Sequence, residues 1–152
     1  PQVIQKADRS IMPIKEHPFP GTVLLCDFSN GFKVPEMDKR RPVVVISPKI
    51  AARPRLCTVV ALSTSEPNPV MPYHCQIDIE PKLPDPWQSE GLWVKGDMIN
   101  AVGFHRLDFF RLGKDKSGKR IYYYTPLSKE NIKSVRTCVL KALNMSSLTK
   151  HL

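Results

Sequence analysis

The chain has 152 residues, 41% of them hydrophobic, and a net charge of +9 from 23 Lys+Arg against 14 Asp+Glu. That length fits one domain with a core of its own, and the composition excludes wholesale disorder. The longest largely apolar run, 56–62, is strand-sized, far below the roughly 18 residues of a membrane-spanning helix, and no basic-then-apolar leader opens the chain; the expectation is a cytoplasmic protein without membrane contact.

Residues 1–20 read as an irregular arm, because Pro13, Pro18 and Pro20 block regular structure. The rest, 21–152, reads as a single domain. A strand is predicted over 21–28, followed by a polar, turn-rich loop at 29–40. The β-branched run 42–47 predicts a buried strand, and 56–63 another. A Pro-rich loop leads to 73–79, whose alternation suits a half-exposed strand. A second Pro-rich loop surrounds Trp87. Strand signals return over 92–99 and 101–112, then a hairpin tip at 113–119 and a returning strand at 120–125. The period then changes: Ile132, Val135, Val139, Ala142 and Leu143 mark one face of a helix. Ser128 is its expected N-cap, and Glu130 suits the positive end of its dipole. The sum is a mainly β protein, an antiparallel barrel of short strands closed by a C-terminal α-helix.

The four cysteines, Cys26, Cys57, Cys75 and Cys138, have no C-x-x-C spacing, and His17, His74, His105 and His151 are scattered. No metal site and no cofactor are therefore expected. Cys26, Cys57 and Cys138 fall inside apolar runs and read as buried reduced thiols. His74 and His105 read as structural or surface residues, although an imidazole at either place can reach a substrate. The excess positive charge fits a polyanionic partner or an acidic protein, and charge alone leaves both open.

Three segments can carry chemistry. Arg40-Arg41-Pro42 enters a Val-rich strand; proline biases Arg41 toward extended backbone, a rigid mount for a phosphate-binding guanidinium or simply a solvated charge. Ser63-Thr64-Ser65 ends a buried strand, where hydroxyls bond a phosphate or close a turn. Lys95 and Asp97, two apart in a strand, share one face, as a surface pair or as half of a polar site. Arg111, Lys114, Lys116, Lys119 and Arg120 surround the hairpin tip, and Tyr122 and Tyr124 alternate after it. They form either a nucleic-acid surface with stacking rings or an ordinary solvated hairpin.

Taken in order, these segments resemble the MazF/PemK (Kid-like) toxins of type II toxin–antitoxin systems. The resemblance rests on Gly-x-Val-x-x-x-Asp-Phe at 21–28 and Glu36 ahead of Arg41-Pro42 and its Val-rich strand. It continues through Val-Val-Ala-Leu-Ser-Thr at 59–64, Trp-Val-Lys-Gly-Asp-Met-Ile at 93–99, Arg106-Leu107 and a final helix. It implies an SH3-like barrel, usually homodimeric, that cuts single-stranded RNA such as mRNA at short sequences without a metal. The products are a 2′,3′-cyclic phosphate and a 5′-hydroxyl, and a cognate antitoxin blocks the site. Carried over residue by residue, the catalytic positions fall on Arg41, Glu36, Ser63 or Thr64, Lys95 and Asp97, with Arg40 and the hairpin residues as RNA contacts. The 34–42 segment departs from the family pattern: it lacks the two glycines and the glutamine usual before Arg-Pro, and Lys95 stands where arginine is usual. Attack by the ribose 2′-OH needs a base, a leaving-group acid and donors to the phosphorane. The resemblance implies that Arg41 is an acid/base and phosphate-stabilising residue; because arginine normally stays protonated, Asp97 or Glu36 is expected to be the base, with Arg41 in the donor and acid roles. The alternative is a non-catalytic SH3-like barrel toxin or binding module acting on a protein partner such as gyrase.

Overall fold

The β-branched runs of the sequence assemble into one six-stranded antiparallel sheet. In the computed structural model, which describes residues 14–152, β1 is Val23–Asp27, β2 Arg40–Val45, β3 Leu56–Ser63, β4 His74–Ile77, β5 Leu92–Gly103 and β6 Leu107–Asp108, in the spatial order β4-β5-β3-β2-β1-β6. β7 (Arg111–Lys114) and β8 (Arg120–Tyr122) form a hairpin of their own, and α1 (Lys129–Ala142) follows. This is the mainly antiparallel architecture with a C-terminal helix that the sequence predicts. Of the expected N-terminal arm, residues 1–13 lie outside the described residues, and 14–20 carry no strand or helix.

The central strands are buried on both faces, which is why they read as nearly unbroken apolar runs. Val44, Val60, Leu62 and Val94 pack with Val135 and Cys138 of α1 on one side. Val43, Val45, Val59 and Ala61 pack on the other with Phe28 and Met37 from the loop after β1, Phe104 from a 3-10 turn and Leu107 of β6. Each buried valine contributes about 1.5–3 kcal/mol, so these alternating rows dominate the stability of the sheet. Burial also silences two thiols: it pushes Cys26 up to about 12 and Cys57 up to about 11, so both stay protonated at neutral pH.

Most predicted strands are trimmed at their ends, the one predicted over 101–112 is broken by a 3-10 turn at Phe104–Arg106, and two further boundaries move for a clear reason. β2 starts at Arg40 rather than at residue 42, because Arg40 and Arg41 pair with Asp27 and Cys26 of β1. Pro42 is tolerated because the ladder to β3 begins only at Val43. The predicted break near residue 100 is absent. β5 runs through it, paired with the whole length of β3, and takes up the mismatch in a bulge: Val60 faces Ile99 while Ala61 faces Lys95, leaving 96–98 unopposed. The chain turns afterwards, through a 3-10 turn at Phe104–Arg106.

Gly96 opens that bulge and lies against α1. A Cβ on it would stand 2.5 Å from the backbone carbon and oxygen of Cys138, so only glycine lets the helix come this close. The helix is placed by its cap as predicted: the Ser128 hydroxyl accepts from the Asn131 amide at 3.1 Å. The Asn131 side chain then donates to the Asp78 carbonyl at 2.7 Å, tying the start of α1 to the end of β4. A 3-10 turn at Ser146–His151 ends the chain, an element that the hydrophobic pattern does not announce.

Candidate active site

Side-chain alternation along β5 divides its residues between two tasks. Leu92, Val94 and Gly96 are buried toward α1, whereas Trp93 and Lys95 are half-buried and Asp97 exposed on the opposite face. Cross-strand register extends that second face sideways. Lys95 lies between Ala61 of β3 and His74 of β4, and Trp93 lies between Ser63 and Gln76. Val43 is paired with Ala61, and Arg41 and Ser63 each stand two residues from that pair along their strands, so by alternation both share its face. Arg41, Ser63 and Lys95 thus reach one face at one end of the sheet, from three different strands, with His74 beside them.

Asp97 stands in the bulge. Its carboxylate is 39% exposed and lies 3.7 Å from Nε2 of His74, whose side chain is only 9% exposed. Nδ1 of His74 accepts from the Met71 amide at 3.0 Å, and the Tyr73 ring meets the imidazole edge-on at 4.6 Å. The Ser63 hydroxyl is committed locally: it accepts from the Ser65 amide at 3.1 Å and donates to the Ser65 carbonyl at 3.2 Å. It closes the turn after β3, the commoner of the two uses the sequence left open. Thr64, the next residue, is exposed.

Glu36 comes from the loop between β1 and β2 and is exposed. Its neighbour Met37 is buried against the same face as Val43 and Ala61, which sets the loop over the side of the sheet that carries Arg41. The start of the loop is held by Arg106. Its guanidinium donates to the carbonyls of Asp27 at 3.1 Å and Asn30 at 2.7 Å and lies 4.7 Å over the Phe32 ring.

The predicted RNA contacts fall elsewhere. Arg40 pairs with Asp27 at 3.6 Å, and the Ser29 hydroxyl and amide, with Arg40 beside them, hold the Asp27 carboxyl below the usual carboxylate range. Arg40 and Arg111 line a cavity of about 320 Å³ that also takes in Trp87 and His105. Lys114, Lys116, Lys119 and Arg120 are exposed on the hairpin. One Asp115 oxygen organises its tip, accepting from the Ser117 hydroxyl at 2.7 Å and from the amides of Ser117 and Lys119 at 2.9 Å each. Tyr122 and Tyr124 lie 6.0 Å apart, and Tyr124 also packs edge-on against Phe109 at 4.8 Å. Tyr123 between them is buried and donates to the Pro81 carbonyl at 2.6 Å.

The rim therefore combines fixed cations, a carboxylate and an imidazole, a set able to hold a phosphodiester and to move a proton. Met37 belongs to this arrangement without having been named in the sequence, Arg106 was read only as part of the family resemblance, and His74, read as structural or surface, lies beside the candidate residues. Of the three, only His74 had a local signal: the alternation of 73–79 sets it on the open face of its strand. Among the described residues no group of three or more His, Cys, Asp or Glu side chains is placed to hold a metal ion.

Comparison with known proteins shows the family and the fold. The family described as PemK-like, MazF-like toxin of type II toxin-antitoxin system matches residues 19–143. A search of curated proteins finds no match. Among solved structures, an endoribonuclease in complex with its cognate antitoxin, from a mycobacterial species, superposes with a TM-score of 0.55 at 18% identity, covering 85% of this chain and 97% of that one. MazF from Deinococcus radiodurans superposes with a TM-score of 0.55 at 18% identity, over 86% of this chain and all (100%) of the other. The MazE–MazF structure from the same organism gives 0.50 at 18% identity, over 87% and 100%. At such identities these structures share the fold with this chain.

Proposed function

The chain belongs to the PemK-like, MazF-like family of type II toxins, and we propose that it is a toxin endoribonuclease acting on single-stranded RNA. The observation that carries this reading is the convergence of Arg41, Ser63 and Lys95 on one face, with the Asp97 carboxylate alongside. Three residues from three strands of one sheet share that face, which supports the reading because strands are rigid mounts for reacting groups.

The chemistry assigned to the site is attack of the ribose 2′-oxygen on the adjacent phosphorus, with the 5′-oxygen leaving. It gives a 2′,3′-cyclic phosphate and a 5′-hydroxyl and calls on no metal. DNA, lacking the 2′-OH, is not a substrate. Asp97 accepts the 2′-hydroxyl proton; Glu36, on the loop across the same face, is the other carboxylate available. Arg41, a planar cationic donor, binds the phosphorane oxygens and gives a proton to the departing 5′-oxygen; the proton that Asp97 has taken up returns to Arg41 through solvent, so the site ends as it began. Lys95 adds charge to the phosphate as a single-point donor. Ser63 shapes the turn that presents Thr64. The cations of Arg40, Arg111 and the hairpin bind the flanking strand. A cognate antitoxin and a homodimeric state complete the reading; the family description and two solved structures that contain an antitoxin support the antitoxin.

The test is cleavage of a long single-stranded RNA in the presence of EDTA, with wild type and Arg41→Ala side by side and the fragment ends mapped. Discrete cuts ending in cyclic phosphate, lost in the variant, are expected. A folded wild type that leaves the RNA intact overturns the enzyme in favour of a non-catalytic toxin acting on a protein.

A further inference from the structure

His74 is placed more tightly than a surface histidine requires. β4 is the edge strand beside β5. Its Cys75 and Ile77 turn toward α1, while His74 turns to the opposite face, across from Lys95. Three contacts define the ring. The Met71 amide donates to Nδ1 at 3.0 Å, Tyr73 closes one edge at 4.6 Å, and Nε2 points at the Asp97 carboxylate at 3.7 Å. The amide contact settles the tautomer: an imidazole that accepts at Nδ1 carries its proton on Nε2. The proton therefore lies on the nitrogen that faces Asp97. At 3.7 Å the two groups are one small side-chain movement from a hydrogen bond, the looseness common in catalytic pairs before substrate binds.

From this geometry we infer that His74 is a positioning residue for Asp97, its Nε2–H orienting the carboxylate that takes the ribose 2′-hydroxyl proton. The inference rests on the ribonuclease reading above. Because Nδ1 is already occupied by a backbone donor, His74 directs the carboxylate and leaves proton abstraction to Asp97. The charged and titratable groups around the ring are few: Lys95 across the ladder, Asp97 itself, and Tyr73 on its own segment. The thiols of Cys75 and Cys138, with Lys141 near them, lie on the α1 side of the sheet. The bulge gives this pairing its purpose. Residues 96–98 have no partner on β3, so Asp97 lacks the ladder that aligns Lys95 and takes its alignment from a side chain instead.

The experiment compares three variants in steady-state cleavage of an RNA oligonucleotide that spans one mapped site. His74→Phe keeps the ring shape and loses the donor; kcat is expected to fall about 10²-fold with KM unchanged, the cost of a misdirected reacting group. His74→Gln carries an N–H near the Nε2 position and is expected to recover most of that loss. His74→Asn satisfies the Met71 amide without reaching Asp97; it is expected to fold like wild type and to be as slow as the Phe variant, which keeps the test decisive should the Phe variant fail to fold. A purely packing role predicts the reverse order, with Phe active and Gln impaired, and that result overturns the inference. In an Asp97→Asn background, His74→Phe should cost nothing further; an undiminished additional loss overturns it as well. Imidazole 15N spectra of wild type should show the proton on Nε2, and a proton on Nδ1 overturns the assignment. A wild type that cuts RNA as fast as His74→Phe removes His74 alone, whereas a wild type that cuts nothing removes the ribonuclease reading and His74 with it.

Discussion

The open face of β5 and the β7–β8 hairpin carry polar and charged residues under different physical regimes. On β5, Lys95 is paired on both sides, and Asp97, in the bulge, follows Gly96, whose backbone is pressed against α1, and faces His74. On the hairpin, Lys114, Lys116, Lys119 and Arg120 stand exposed on a two-stranded sheet held mainly by its own turn and by the burial of Tyr123 beyond it. The first arrangement fixes where a charge is; the second only fixes how much charge is nearby. Chemistry needs the former, because a misplacement of about 1 Å costs on the order of 10²-fold in rate. Attraction of a polyanion tolerates the latter, because phosphate contacts add through counterion release with little demand on geometry.

That contrast can be broken at several points. The largest effect is expected at Arg41: Arg41→Ala should lower the cleavage rate by about 10²–10³-fold without altering the urea midpoint, and Arg41→Lys should recover little, since a lysine cannot form the fork. Next comes Gly96→Ala. The added Cβ meets helix backbone at 2.5 Å and α1 must retreat; a stability loss of about 3 kcal/mol in urea titration is expected, with activity falling as the bulge shifts. Neutralising the hairpin by Lys114→Gln, Lys116→Gln and Lys119→Gln should weaken RNA binding about tenfold at moderate salt and flatten the salt dependence by about 0.7 per lost contact, with kcat retained. A fall in kcat there would place the hairpin inside the reacting site and dissolve the distinction. The smallest effect is expected at Ser128→Ala, which removes the N-cap of α1 and should cost about 1 kcal/mol while leaving cleavage unchanged.

How much of this was legible in the sequence depends on whether a feature is local. The strand 56–63 has the predicted limits, because its β-branched and apolar run matches the segment that pairs. The helix begins where Ser128 caps it, since a cap is a contact across three residues. The candidate residues Arg41, Ser63, Lys95 and Asp97 were legible as types and through their resemblance to a family. Their shared face was not, because it depends on the β2–β3 and β3–β5 registers. The continuity of β5 through residue 100 was hidden for the same reason: β3 supplies the partners that carry the strand past a weak local signal. His74 was visible as an exposed-face residue of its strand, but its partner stands 23 residues away in sequence. Arg106 is farther still from the Asp27 carbonyl that it holds, at a separation of 79 residues.

The sequence by itself determined the strand-rich body, the capped final helix, the burial of the central valines and the cationic surface. These follow from propensity, periodicity and charge, which are properties of neighbouring residues. Only the tertiary structure decided which residues meet. The bulge at 96–98 turns Asp97 toward β4, Gly96 admits α1, Met37 draws the Glu36 loop over the sheet, and the hairpin separates from the rim. Each of these is a contact between distant segments, selected because burying the two valine-rich faces leaves one register that satisfies both.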